Sequence, residues 1–321
     1  MGTRAFLSKN KDSKKNYGKH EQNTTIGNAD AAPLRRIVMV VEKILNHPSV
    51  RVRDRSAVVE KLNAILKGGN EQLAANEKGQ RCLGSHAVVN HLLLSLHPEL
   101  TAEVNAVNAK YVAIEYDPHL TKEEKMPYMV EWWTKAHENY ITYGIHRDDI
   151  ERIVEEVSIR LRDGAGAMMK HLEAAEIPML LFSAGIGNVI EAFLRHQLGS
   201  IPENIHIISN MLSFDEKGRV NACSEPLIHV FCKDSTVIPH DAPFFNDIAH
   251  RGNVLLLGDS LGDLHMDVGV DHSGTVLRIG YLNSNAEKLL ELYLDGFDVV
   301  LVEDQTMDVP DLILQALVKQ C

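Results

Sequence analysis

From residue 33 onward the apolar positions fall at helical spacing. Ile37, Val40, Val41, Ile44 and Leu45 share one face, and Val58, Val59, Leu62, Ile65 and Leu66 repeat the pattern in a second predicted helix. That helix should stop at Lys67-Gly68-Gly69, because glycine accepts the left-handed backbone that closes a helix. Residues 71–81 are polar, with Leu73-Ala74-Ala75 the one apolar break. The stretch 86–161 carries helical periodicity and few strand signals. Beyond residue 162 the pattern alternates: a helix over 165–175, an apolar strand over 178–182, a helix from Val189, a strand over 205–208, and a hairpin turn at Asp215-Glu216-Lys217-Gly218. Apolar runs over 253–257, 276–280 and 299–302 predict three more strands. Val268-Gly269-Val270 should close a short helix after the first of these, and 312–318 reads as a final helix. Strand and helix in alternation predict a parallel α/β sheet. Residues 1–32 are polar and rich in Lys, Asn and Gly, so they predict a disordered tail.

The chemistry suggested by this pattern gathers at strand ends. Val254 to Leu257 are four apolar residues bounded by Asn253 and Gly258, as in a strand buried on both faces. Asp259 and Asp263 follow in a turn rich in glycine and serine. Open α/β sheets bind ligands beyond the carboxyl ends of their strands, and two aspartates four apart suit Mg²⁺, a hard cation with oxygen ligands. The plainer alternative makes Asp259 a helix N-cap. At the end of the 178–182 strand, Ser183-Ala184-Gly185-Ile186-Gly187-Asn188 is either a phosphate seat, with backbone N–H groups and a helix dipole aimed at an anion, or a turn that needs glycine for steric reasons. Lys233 ends the apolar run 227–232; it either snorkels to the surface or delivers a charge into a site. His229 in that run reads as structural. Trp132 and Trp133 are adjacent, and successive helical residues point about 100° apart. One should pack inside while the other faces a cleft, where a ring and a nearby carboxylate could recognise a base.

Composition narrows the partners. A chain of 321 residues, 45% hydrophobic and 24% charged, is ordinary for a soluble globular protein with one large core or two modest ones. The net charge of −11 argues against general binding to a nucleic-acid polymer or an anionic membrane. No run approaches the roughly 18 apolar residues of a membrane span. Cys82, Cys223, Cys232 and Cys321 show no CxxC spacing, which speaks against zinc and a disulfide framework. Without the apolar segment of a secretory signal near the N-terminus, a cytoplasmic setting is expected.

Strand–Ser183, then Lys233, then strand–Asp259…Asp263 is an ordered triplet. It resembles the second, third and fourth motifs of the haloacid-dehalogenase-type phosphohydrolases. The blocks Phe182-Ser183-Ala184-Gly185-Ile186-Gly187, Leu227-Ile228-His229-Val230-Phe231, Gly258-Asp259-Ser260, Ile279-Gly280-Tyr281-Leu282-Asn283 and Tyr128-Met129-Val130-Glu131-Trp132 resemble the cytosolic 5′-nucleotidase III family. Trp132-Trp133-Thr134-Lys135-Ala136-His137 is similar to its 7-methylguanosine branch. The resemblance implies a haloacid-dehalogenase-like α/β core over 33–79 and 161–321, a helical cap over 80–160, and a monomer. It implies Mg²⁺-dependent hydrolysis of nucleoside 5′-monophosphates, either 7-methylguanosine or pyrimidine monophosphates, to nucleoside and phosphate. Ser183 and Ala184 would contact the phosphate. Lys233 would neutralise it as the catalytic cation, and Asp259, with Asp263 as a second candidate, would hold Mg²⁺. Glu115 and Trp133 would bind the base.

One departure bears on activity. The family's first motif is a central strand ending in DxDxT, whose first Asp attacks phosphorus and whose second is general acid and base. It should lie between Gly69 and Arg81. Residues 70–80 contain no aspartate, and the interval is short by roughly a dozen residues. Asp117 is a substitute in type, although it matches a cap position and lacks the following Thr. The chain is therefore expected to be inactive as written, and the alternative function is that of a non-catalytic nucleotide-binding or regulatory relative. The central strand itself is expected to be missing, which would leave neighbouring buried N–H and C=O groups unpaired at about 1–3 kcal/mol each.

Overall fold

The computed structural model describes residues 28–77, 84–117, 119–157, 159–234, 237–238, 242–267 and 273–318. Helix α1 (Asn28–Leu45) begins inside the segment expected to be a tail, and residues 1–27 lie outside the described residues, as does the turn at Val268-Gly269-Val270. Helix α2 (Arg55–Gly68) starts at Asp54, whose carboxylate accepts from the N–H groups of Ser56 and Ala57, and it stops at Gly69 with φ +71°.

Seven strands form one sheet: β1 (Val50–Arg51), β2 (Leu73–Glu77), β3 (Met179–Ile186), β4 (Ile205–Asn210), β7 (Asn253–Gly258), β8 (Val276–Leu282) and β9 (Val299–Val302). Their order is β1-β9-β8-β7-β2-β3-β4, and every pairing is parallel except β1 with β9. The remaining two, β5 (Leu212–Phe214) and β6 (Val220–Cys223), form the hairpin expected around Gly218.

The central strand is present, which corrects the sequence expectation. β2 pairs with β7 from Leu73↔Asn253 to Glu77↔Leu257 and with β3 from Ala75↔Met179 to Glu77↔Leu181. Leu73, Ala74 and Ala75 are buried. The unmet backbone groups that made an empty slot costly are what recruit this weakly apolar segment: five residues between two long strands satisfy both neighbours. Arg251 fastens its start, donating from Nη1 to the carbonyls of Asn70 and Leu73 and from Nη2 to that of Glu176.

Between β2 and β3 come α3 (Ser85–Leu96), α4 (Thr101–Glu115), α5 (Lys122–Thr142) and α6 (Arg147–Glu156). Thr121 and Glu124 form a capping box that starts α5. These helices share a core with α8 (Gly187–Leu198), where Val88, Leu92, Tyr140, Ile150 and Ile153 meet Val189 and Phe193. The second half supplies α7 (Ala165–Ala174), α9 (Pro243–Ile248), α10 (Ala286–Gly296) and α11 (Asp308–Val318). Helices α1, α2, α7 and α11 contribute to the apolar layer on one face of the sheet. No helix among the described residues is long and apolar enough to cross a membrane.

Candidate active site

All six residues of β7 are buried, as its apolar run demands. Past Gly258 the chain makes a 3₁₀ turn over Leu261–His265 whose N-cap is Ser260, not Asp259. Asp263 closes that turn. Its Oδ2 accepts from the N–H groups of Asp259 and Ser260 and from the Ser260 hydroxyl, at 3.1, 3.0 and 2.9 Å. Its Oδ1 accepts from Lys233 Nζ at 2.5 Å, and both side chains are wholly buried. Lys233 is thus a charge delivered inward.

The loop carrying Lys233 is a hub. Asn210, fully buried at the end of β4, accepts from Ile228 N–H and donates to the carbonyls of Ile228, Ala184 and Gly185. One amide therefore ties the Lys233 loop to the Ser183 turn. Gly262 lets the Asp263 turn close on the same loop, since a Cβ there would run into the Val230 carbonyl. Sequence reasoning passed over Asn210. Its signal was a polar pair, Ser209-Asn210, at the end of an apolar strand, where a buried amide needs partners.

At the end of β3, the Ser183 hydroxyl accepts from Gly185 N–H at 3.1 Å. Ser85, at the start of α3, accepts from Ile186 N–H at 2.8 Å. Two N–H groups of the expected phosphate seat are thus already occupied by hydroxyl oxygens. Gly185 is obligatory here, because a Cβ would overlap Ser85 Oγ. Trp133, 7% exposed, donates from its indole N–H to the Ala184 carbonyl at 2.7 Å, so it is clamped onto the turn. Trp132 stays half-buried among the inserted helices, stacked on Tyr111 and bonded to Asn108. Glu115 ends α4, and its carbonyl accepts from Lys125 Nζ, which lies 5.8 Å from the Phe231 ring. Asp117 accepts from His119 N–H in a local turn.

The structure thus joins Lys233 to Asp263 directly. Asp259 joins them through the Asp263 turn, Ala184 and Trp133 through Asn210, and Glu115 through the contact of Lys125 with the Phe231 loop. As a Mg²⁺ site the donor set is thin. Both Asp263 oxygens already accept from protein donors, and among the described residues no three His, Cys, Asp or Glu side chains converge to hold a metal.

Behind the Ser183 turn, His86, His137 and Tyr140 pack beside Trp133. Burial pushes the pKa of His137 down to about 4, and packing together with His137 lowers that of His86. Burial raises that of Tyr140, with Cys223 adding to the effect. Unfolded histidine takes up protons near pH 6.5 that folded His137 refuses. Stability is therefore full above pH 6.5 and declines toward pH 4, by on the order of 3 kcal/mol for His137. Thermal unfolding followed from pH 7.5 to 4.5 should show that decline, and His137→Phe should make it shallower, with the His86 share remaining; an unchanged slope in the variant would remove His137 as a cause.

Comparison with known proteins decides the family. The model for "Pyrimidine 5'-nucleotidase (UMPH-1)" matches residues 72–318. The chain belongs to the pyrimidine 5′-nucleotidase family. A putative cytosolic 5′-nucleotidase 3 of Caenorhabditis elegans is 40% identical over 295 residues, covering 88% of this chain and 78% of that protein. The human 7-methylguanosine phosphate-specific 5′-nucleotidase is 36% identical over 283 residues, covering 85% and 93%. Among solved structures, cytosolic 5′-nucleotidase IIIB bound to cytidine superposes with a TM-score of 0.79 at 33% identity, over 87% of this chain and 98% of that one. This pyrimidine 5′-nucleotidase family member therefore shares the α/β fold of that solved 5′-nucleotidase.

Proposed function

We propose that this chain binds nucleoside 5′-monophosphates between the inserted helical cap and the sheet, as a cytoplasmic monomer, and does not hydrolyse them. The observation that carries this reading is the make-up of β2. In its family the central strand must deliver the attacking Asp and the acid–base Asp. Here residues 70–80 hold none, while β2 still runs between β3 and β7. The scaffold is kept and the nucleophile is absent.

The remaining parts support binding. Lys233, held by Asp263, would place positive charge at the phosphate, where phosphoryl transfer is mostly positioning and electrostatics. Bound Mg²⁺ would supply further neutralisation of phosphate oxygens, and Asp259 is the carboxylate to contact it. With one such carboxylate, and an ion that sheds its waters reluctantly, Mg²⁺ binding should be weak. Ser85 and Ser183 both occupy seat N–H groups, so the phosphate contributes less here than in a seat with open donors. The base side then matters more. Trp133 offers a ring beside Ala184, and Glu115 a carboxylate, a pair suited to the positive charge of a 7-methylguanine.

Isothermal titration with cytidine and 7-methylguanosine monophosphates tests this reading. Both should bind, and Glu115→Gln should weaken the 7-methylguanosine nucleotide about tenfold, more than the cytidine one, because a charged hydrogen bond is lost. Failure of either nucleotide to bind at millimolar concentration would refute a nucleotide-binding role.

A further inference from the structure

The lysines of α5 differ in what neutralises them. Lys135 pairs with Glu131 at 2.7 Å and also donates to the Tyr111 hydroxyl. Lys125 is half-buried nearer the start of the helix, where its Nζ donates to the Glu115 carbonyl at 2.9 Å and lies 5.8 Å from the Phe231 ring. Among the described residues no carboxylate forms an ion pair with it.

A carbonyl and an aromatic face attract a cation but carry no net charge, so the ammonium keeps its field. That field stands where two parts of the proposed nucleotide site meet. Glu115 is the carboxylate assigned to the base, and Phe231 belongs to the loop that carries Lys233. A base bonded to the Glu115 carboxylate lies a side chain and a hydrogen bond away from the carbonyl that Lys125 holds. That separation is on the order of the Debye length, about 8 Å at physiological salt, so the two charges act on each other.

We infer, on the nucleotide-binding reading proposed above, that Lys125 is a specificity residue of that site. Its ammonium repels the positive charge of a 7-methylguanine and so limits the preference that Glu115 creates for it. A neutral cytosine feels no such repulsion. Both nucleotides carry the same 5′-phosphate, so any pull of Lys125 on phosphate is common to them and cancels in the ratio of their affinities. That ratio reads the charge on the base alone. It also separates this role from a structural one by sign. If Lys125 served only to hold the last turn of α4, losing it would loosen Glu115 and lower the preference for 7-methylguanosine monophosphate. If its charge opposes the base, losing it raises that preference.

Calorimetric titration of the full chain with both monophosphates at about pH 6, where the methylated base is cationic and cytosine is neutral, tests this role. Lys125→Gln should raise the ratio of 7-methylguanosine to cytidine monophosphate affinity about fivefold. Lys125→Arg keeps the charge and should leave the ratio near that of the parent. Lys125→Met takes the place of Lys125→Gln if the latter fails to fold, with the same expected rise. A ratio that falls or stays level in the neutral variant overturns the inference, as does an equal rise in Lys125→Arg. If neither nucleotide binds the parent, the nucleotide-binding reading fails and takes this inference with it; if both bind and the ratio does not rise, the inference alone fails.

Discussion

Lys233→Met should cost about 3–5 kcal/mol of stability, the loss expected when one partner of a buried ion pair is removed and the other is stranded. Lys233 and Asp263 are both wholly buried and 2.5 Å apart. Removing the ammonium leaves a carboxylate that cannot reach water, although it still holds the N–H groups of Asp259 and Ser260. The damage should spread, because Lys233 also anchors the loop that Asn210 ties to the Ser183 turn. Urea unfolding should show a large drop in midpoint for Lys233→Met. Lys233→Met combined with Asp263→Asn should lose less than the sum of the two single changes, since neither leaves an unmatched charge in the other's absence. Additive losses would mean that the pair is not coupled as the geometry requires.

The largest expected effect is a gain of function. A segment ending in DxDxT, grafted so that it follows β2, should raise nucleotide hydrolysis by on the order of a millionfold, the scale on which removal of a nucleophile lowers it. β2 already fills the central slot, so the graft should add activity with little change in stability. If the strand had been missing, both would have risen together. The graft also lengthens the path from Glu77 to Ser85, letting Ser85 withdraw from Ile186 N–H and reopen that donor for phosphate. Hydrolysis that appears in the graft and vanishes when its first Asp becomes Asn would tie the gain to the nucleophile. A graft that folds but stays inactive would place the defect elsewhere, with the Ser85 contact first to be examined.

Much of the fold was legible because its strands are long, apolar and bounded by polar or glycine residues. The 253–257 run, the Gly218 hairpin and the alternation after residue 162 all rest on local pattern. β2 was not legible, and the reason is physical. Leu73-Ala74-Ala75 is too short and too weakly apolar to announce a strand, and its pairing is dictated by β3 and β7, which are far away in sequence. The two-residue β1 escaped for the same reason. In the candidate site, the motif residues were readable from spacing, whereas their hydrogen bonds were not. Nothing in Ser260 or Asp263 alone says that Ser260 caps the turn while Asp263 closes it and holds Lys233. Ser85 and Asn210 carry no motif, yet one fills a seat N–H and the other fastens two loops. The adjacent tryptophans could be split between interior and cleft only in principle; the structure buries Trp133 against Ala184 and leaves Trp132 half-buried on Tyr111.

The most direct measurement is phosphate release by the unmodified chain, with Mg²⁺ and either cytidine or 7-methylguanosine monophosphate, beside an active family member under the same conditions. Loss of the aspartyl nucleophile predicts no release above the no-enzyme control while both nucleotides still bind. Sustained Mg²⁺-dependent release that scales with protein concentration would contradict it, and would mean that another carboxylate attacks phosphorus, with Glu77 at the end of β2 and Asp117 after α4 the first to replace.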